Sequence, residues 1–208
     1  MTHGIFRKTG FSLIASTALL LVAVHSADAA GKVRISGTIE TVDGADLKIK
    51  AIDGKEIVVK MKPEMAVSGI KNAAVADIKR GDFVGIGSQP TASGINGAVQ
   101  VVIFPASMKG AGEGDRAWDA RPNGQMTNAT VTDAVDSPSG PILTLDFNGG
   151  QRKINIPAGT TIIEITTATK DDLKAGAGVS IQGMSSDDSA IVTADSVRVG
   201  LAGAIPPR

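Results

Sequence analysis

The chain has no cysteine, no tyrosine, one tryptophan and two histidines in its 208 residues. Each shortage removes a kind of chemistry. Without cysteine there is no disulfide, no thiolate nucleophile and no zinc–thiolate site. His3 and His25 both lie in an N-terminal segment that reads as removable. Past that segment the chain therefore has no Ser-His-Asp triad, no Cys-His dyad, no histidine-ligated haem and no ordinary zinc or copper site. Beyond residue 30 the aromatic side chains are Phe83, Phe104, Phe147 and Trp118, too few for a base-stacking platform. Basic and acidic residues balance at 21 each, so there is no excess positive charge for a phosphate backbone. Carboxylates, Lys, Arg, hydroxyls and amides are the chemistry that remains.

The N-terminus has the layout of a secretory signal. Arg7 and Lys8 supply the positive region, "FSLIASTALLLVAV" (11–24) the apolar run, and Ala27-Asp28-Ala29 the small-x-small cleavage site. The apolar run is shorter than the roughly 20 residues a spanning helix needs, and no later run approaches that length. The pattern predicts a signal peptide over 1–30, cleavage after Ala29 or Ala30, and a periplasmic protein without a membrane span. No cysteine near the cleavage site offers a lipid anchor. Without Arg7, Lys8 and Asp28 the rest of the chain holds 19 basic and 20 acidic residues.

Most of the remaining chain alternates apolar and polar residues, the period of half-buried strands. In "KVRISGTIE" Val33, Ile35, Gly37 and Ile39 share one face. "DLKIKAI" comes next, then the hairpin turn Asp53-Gly54, then "KEIVVKM", predicting a three-stranded meander over 33–61. "NAAVADIKRG" (72–81) predicts a short helix stopped at Gly81, and "DFVGIGS" and "GAVQVVIF" two further strands. The second half repeats the order through "NATVTDAV", "PILTLDF", "QRKINIP", the capped turn "TKDDLKAG" and two closing strands. "IKRGDFVGIGS" (78–88) aligns with "LKAGAGVSIQG" (173–183) at an offset of 95, and Thr38 with Thr130 at 92. The chain thus reads as an internal duplication.

Five short strands in so small a unit must curl to close a core and protect their edges. The expected fold is all-β: a tandem repeat of two small five-stranded OB-like barrels, each with one short helix before its fourth strand. A pair of small sandwiches is the alternative. The expected boundaries are 31–105 for the first barrel, 106–127 for a Gly-rich inter-domain linker with Trp118, 128–200 for the second barrel and 201–208 for a tail.

The helix-to-strand steps "DIKRGDFVGIG" and "DLKAGAGVSIQG" resemble the run D-L-K-x-G-x-x-V-x-V-x-G of an uncharacterised family of secreted bacterial small barrels, a domain of unknown function. The central stretch is similar to the joint F-P-x-x-x-x-G-x-G-E-G-H-x-x-W-D of a proteobacterial two-barrel group. Phe104, Pro105, Gly110, Gly112, Glu113, Gly114, Trp118 and Asp119 match, and Asp115 stands where that pattern has His. A ligand role for that His has no counterpart here. Similar chains are sometimes labelled permease parts of metal transporters. With no spanning helix expected, that implies at most an envelope accessory role.

The stretch "GAGEGDRAWD" (110–119) holds the candidate site residues. Its glycines, Gly110, Gly112 and Gly114, have neither the spacing of a dinucleotide loop nor a P-loop lysine, and are expected to turn the chain. Glu113, Asp115 and Asp119 are the candidate ligands for a hard cation such as Ca²⁺, with Arg116 and Arg121 near enough in sequence to pair with them instead. Trp118 is expected to wedge between the barrels, with ligand stacking as its alternative. Asn128-Ala129-Thr130 is a glycosylation sequon and Arg80-Gly81-Asp82 an adhesion tripeptide, both short enough to arise by chance. The functional expectation is a non-enzymatic exported envelope protein, a binding or structural module for a partner protein, a wall component or a small ligand, without cofactor or nucleic acid. The alternatives are a Ca-type metal-binding accessory protein and a hydrolase with a carboxylate pair, Glu113 and Asp119.

Overall fold

The computed structural model describes Met1 and residues 31–185 and 191–207. The expected signal segment, beyond Met1, and most of the "SSDDS" loop lie outside the described residues. The strands are β1 (Gly31–Asp43), β2 (Asp46–Ala51), β3 (Glu56–Asn72), β4 (Phe83–Gln89), β5 (Asn96–Ile103), β6 (Gly114–Trp118), β7 (Gly124–Val135), β8 (Ile142–Phe147), β9 (Gly150–Asn155), β10 (Thr161–Thr167), β11 (Gly178–Ser185) and β12 (Ile191–Gly200). The protein is all-β, as the alternation predicts. The meander β1-β2-β3 pairs antiparallel through Leu47, Ile49 and Val59, all fully buried.

The two short helices do not form. Each is a three-residue 3₁₀ turn, Val75–Asp77 and Lys170–Asp172. Such stretches are too short to meet the cost of nucleating an α-helix. An Asp side chain closes each turn instead: Asp77 accepts from the backbone N–H of Ala74 at 2.7 Å, and Asp172 from that of Thr169 at 2.8 Å. Gly81 comes next with φ of +94°, the left-handed stop expected of it, and Gly176 holds the same place after the second turn with φ of +86°.

The strands of the two halves do not stay apart. β1, β2 and β3 close into a five-stranded barrel with β11 and β12 from the other half, sealed by a parallel pairing of β12 with β3. β7, β8 and β9 form a second ring with β4 and β5, completed by the parallel pairs Asn96↔Ile154 and Gly97↔Asn155. The expected boundaries, 31–105 for one barrel and 128–200 for the other, therefore give way to two interleaved rings. Their cores are distinct. Ile39, Leu47, Ile49 and Val59 meet Ile181, Val197 and Val199 in one. Val84, Ile86 and Val101 meet Ala129, Leu145 and Ile154 in the other.

β3 is 17 residues long, about 55 Å, and stays paired with β12 as far as Ile70, beyond the reach of β2. Its end pairs antiparallel with β10, symmetrically about Ile70↔Ile165, two residues 95 apart in the chain. β10 in turn runs parallel to β5, joining the rings into one sheet. Each half then docks its 3₁₀ step on the other: Gly81 N–H donates to Val131 C=O, and Gly176 N–H to Ile39 C=O. Where β3 leaves the barrel it bulges across from Asp195. Pro63, lacking an N–H, sits in that unpaired stretch, and Lys170 Nζ donates to the carbonyls of Lys62 and Pro63.

Candidate binding cleft at Trp118

Because β5 and β7 belong to the same ring, residues 106–127 are no inter-domain linker. They are an ordered excursion of the second ring. Ala106–Met108 is a 3₁₀ turn, and β6 then pairs with β7 as a hairpin, so that β7 begins at Gly124 and not at 128. Gly110, Gly112 and Gly114 have φ of +83°, +58° and +129°, a backbone that glycine takes without strain. Asn128 is buried and its side-chain amide donates to Ala111 C=O, which ties the turn down and withdraws the sequon from solvent.

The three candidate metal-ligating carboxylates are not brought together. Glu113 and Asp119 flank β6 at opposite ends, roughly 20 Å apart along an extended chain. Neither a metal nor the facing carboxylate pair of a glycosidase is served by that separation. Glu113 accepts from the backbone N–H of Asn148 at 3.2 Å. Asp115 accepts from Thr127 Oγ1 at 2.6 Å and from Arg152 Nη2 at 2.5 Å, forming a polar plug at one mouth of the second ring. The pairing partner of Asp115 is thus Arg152, which sequence proximity does not suggest; Arg116 donates instead to Gly112 C=O. Among the described residues no group of three or more His, Cys, Asp or Glu is placed to hold a metal ion.

β6 alternates, so Trp118 and Arg116 face away from Asp115, on the outside of the second ring. The indole lies on the backbone of Gly87: a Cβ there would sit 2.7 Å from two of its ring carbons. Phe104 covers Gly85 in the same way and meets Phe83 at a ring distance of 5.6 Å. The Gly-x-Gly of β4 is thus a bare strip for two aromatic side chains. The positions 95 further on, Ser180 and Gln182, are not glycines. Replacing Gly87 by Val is expected to displace the indole, shift its emission to the red and cost about 1–2 kcal/mol through overpacking. An unchanged emission maximum in Gly87→Val would refute this placement of Trp118.

Trp118 is half-buried and walls two adjoining cavities, of about 490 and 750 Å³, which share Gln100, Ala120, Ile163 and Pro207 with it. The smaller is lined by both rings and the bridge between them: Arg34 and Arg198 from the closed barrel, Met126 and Arg116 from the second ring, Ile70, Ile163 and Ile165 from β3 and β10. The larger adds Ile52 and the C-terminal Ile205 and Pro206. Burial and the neighbouring charge of Arg34 hold the Arg198 guanidinium below its ordinary pKa. A third cavity, of about 1000 Å³, lies under the C-terminal segment and carries charges of both signs, Lys50, Lys174 and Asp172.

Sequence reasoning reached Trp118 but not the arginines. Arg34 and Arg198 lie 164 positions apart, on strands whose neighbourhood depends on the exchange. The one local signal for the site is the Gly85-x-Gly87 pair in a strand otherwise made for a core. No family model, no curated protein and no solved structure matches this chain.

Proposed function

We propose that the protein is an exported, non-enzymatic binding module of the cell envelope, with the cleft at Trp118 as the seat of a small ligand that has an apolar part. The observation that carries this reading is the placement of the sole tryptophan. It rests on a strip of bare glycine backbone, at the wall of two adjoining cavities to which both rings contribute. A ring that only filled a joint has no need of open volume on its free side. The N-terminal export pattern supports a periplasmic location. The shortage of nucleophiles and general bases supports binding over turnover.

We read the two rings as OB-like barrels that have exchanged their last two strands. In each, three consecutive antiparallel strands are joined by an antiparallel pair from the other repeat, and a parallel contact closes the circle. That is a small closed Greek-key arrangement, a scaffold that presents ligands on its outer face and loops. The resemblance to secreted small barrels of unknown function is consistent with it.

Trp118 contributes the only tryptophan indole N–H of the protein, so one resonance reports on the cleft. Decanol, decanoate and decylammonium, each below its aggregation limit, are the probes. At least one is expected to move that resonance saturably. If none does, or if binding leaves it unmoved and perturbs only other resonances, the cleft is not the seat.

A further inference from the structure

We infer that the cleft takes an anionic amphiphile, its carboxylate held between Arg34 and Arg198 and its hydrocarbon chain lying across Trp118. This deepens the reading above and rests on it. Arg34 and Arg198 line the smaller cavity close enough to repel one another, and Arg116 lines it too. Among the described residues none of the three has a carboxylate within ion-pair distance; the ion pairs that form use other Lys and Arg side chains. Among the described residues Asp119 is the one carboxylate that lines this cavity, and it forms an ion pair with none of the three. Two like charges, one of them partly buried, are unfavourable as they stand. An anion between them removes the repulsion and gains charge-assisted hydrogen bonds from planar guanidinium forks suited to a carboxylate.

The walls set the rest of the ligand. From the arginines the cleft continues past Met126, Ile163 and the indole into the larger cavity, where Ile52 and Ile205 are exposed at 56% and 78%. A saturated chain of about ten carbons laid along that path removes these side chains from water, each buried methylene adding about as much as one in a protein core. A small hydrophilic anion has no use for this half of the site, and a neutral alcohol none for the other.

The full-length exported protein is titrated with decanoate, decanol, decylammonium and inorganic phosphate, read by the Trp118 indole resonance and by calorimetry. Decanoate is expected to bind at one site per chain, at least tenfold more tightly than decanol, with decylammonium and phosphate weaker still. Arg34→Gln and Arg198→Gln are each expected to weaken decanoate about tenfold while leaving decanol unchanged. Arg198→Lys is expected to fall between. The apo spectrum of each variant, unchanged away from the cleft, shows that it is folded. Equal binding of decanol and decanoate, or decanoate binding indifferent to both substitutions, overturns the inference while leaving the cleft as an apolar seat. Equal binding of phosphate overturns the role given to the chain. Silence of the indole towards every probe overturns both readings together.

Discussion

Residues 31–105 and 106–207, prepared as separate chains, are expected to show no cooperative unfolding transition alone at low micromolar concentration, and to recover a single transition when mixed one to one. The cut falls in an exposed turn at Ala106 and severs no strand. Each fragment holds three strands of one ring and two of the other. Ile39, Leu47, Ile49 and Val59 then lose Ile181, Val192, Val197 and Val199, half of the core they close. The open sheet that is left turns its apolar face to water with nothing to bury it against. Circular dichroism melts with sedimentation to count chains check this. A monomeric 31–105 fragment with a full cooperative melt overturns it. Such a fragment would show that β4 and β5 fold back on β1–β3, and that the exchange is a choice of the full chain only.

Asp115→Ala is expected to destabilise the protein by about 2 kcal/mol, a fall in Tm of roughly 4–8 °C. Thr127 is fully buried and loses the acceptor of its hydroxyl. Arg152, with 31% of its side chain exposed, keeps a charge at the mouth of the second ring without its partner. Removing one member of a buried pair typically costs about 3–5 kcal/mol, and the exposure of Arg152 reduces that figure. Asp115→Asn retains an acceptor for Thr127 and is expected to lose less. Asp115→Leu combined with Arg152→Leu is expected to regain most of the loss, since paired removal leaves no orphaned charge. Denaturant unfolding decides the matter: a loss below about 0.5 kcal/mol in Asp115→Ala would mean that the plug is held by something other than this pair.

The stretch 110–119 holds both Asp115 and Trp118. Its composition suggests a metal loop or a phosphate loop. The structure distributes its side chains by strand alternation: Asp115 inward to Arg152, Arg116 and Trp118 outward to the cleft, Glu113 back to the turn at Asn148. A five-residue strand separates the carboxylates more effectively than any repulsion between them. Asp115 is a structural acid, satisfied within the second ring by Thr127 and Arg152.

Much of the local structure is legible from residues. Alternation at Leu47, Ile49, Val59 and at Leu143, Leu145, Ile154 marks strands and their inward faces, because a strand with one buried face leaves a period of two. Asp53-Gly54 marks a turn, and Gly81 and Gly176 mark the stops after the 3₁₀ steps, because few residues but glycine adopt a positive φ at no cost. The alignment at offsets of 92 and 95 is read from the residues, and in the structure Ile70 pairs with Ile165, 95 positions along the chain. The two helices are not legible, since an amphipathic-looking decapeptide says nothing of whether a turn will propagate.

Partner choice is beyond the sequence. Two repeats of similar pattern offer nearly identical edges, so closure within a half and closure across halves satisfy the same alternation and bury similar faces. The structure holds closure across the halves. That selection brings Arg34 beside Arg198 and turns a supposed linker into a wall of the cleft. Composition set the chemical inventory, and residue order the strand faces and the turns; tertiary structure alone decided which strands met, because register and edge choice depend on the path of the chain and not on the local period.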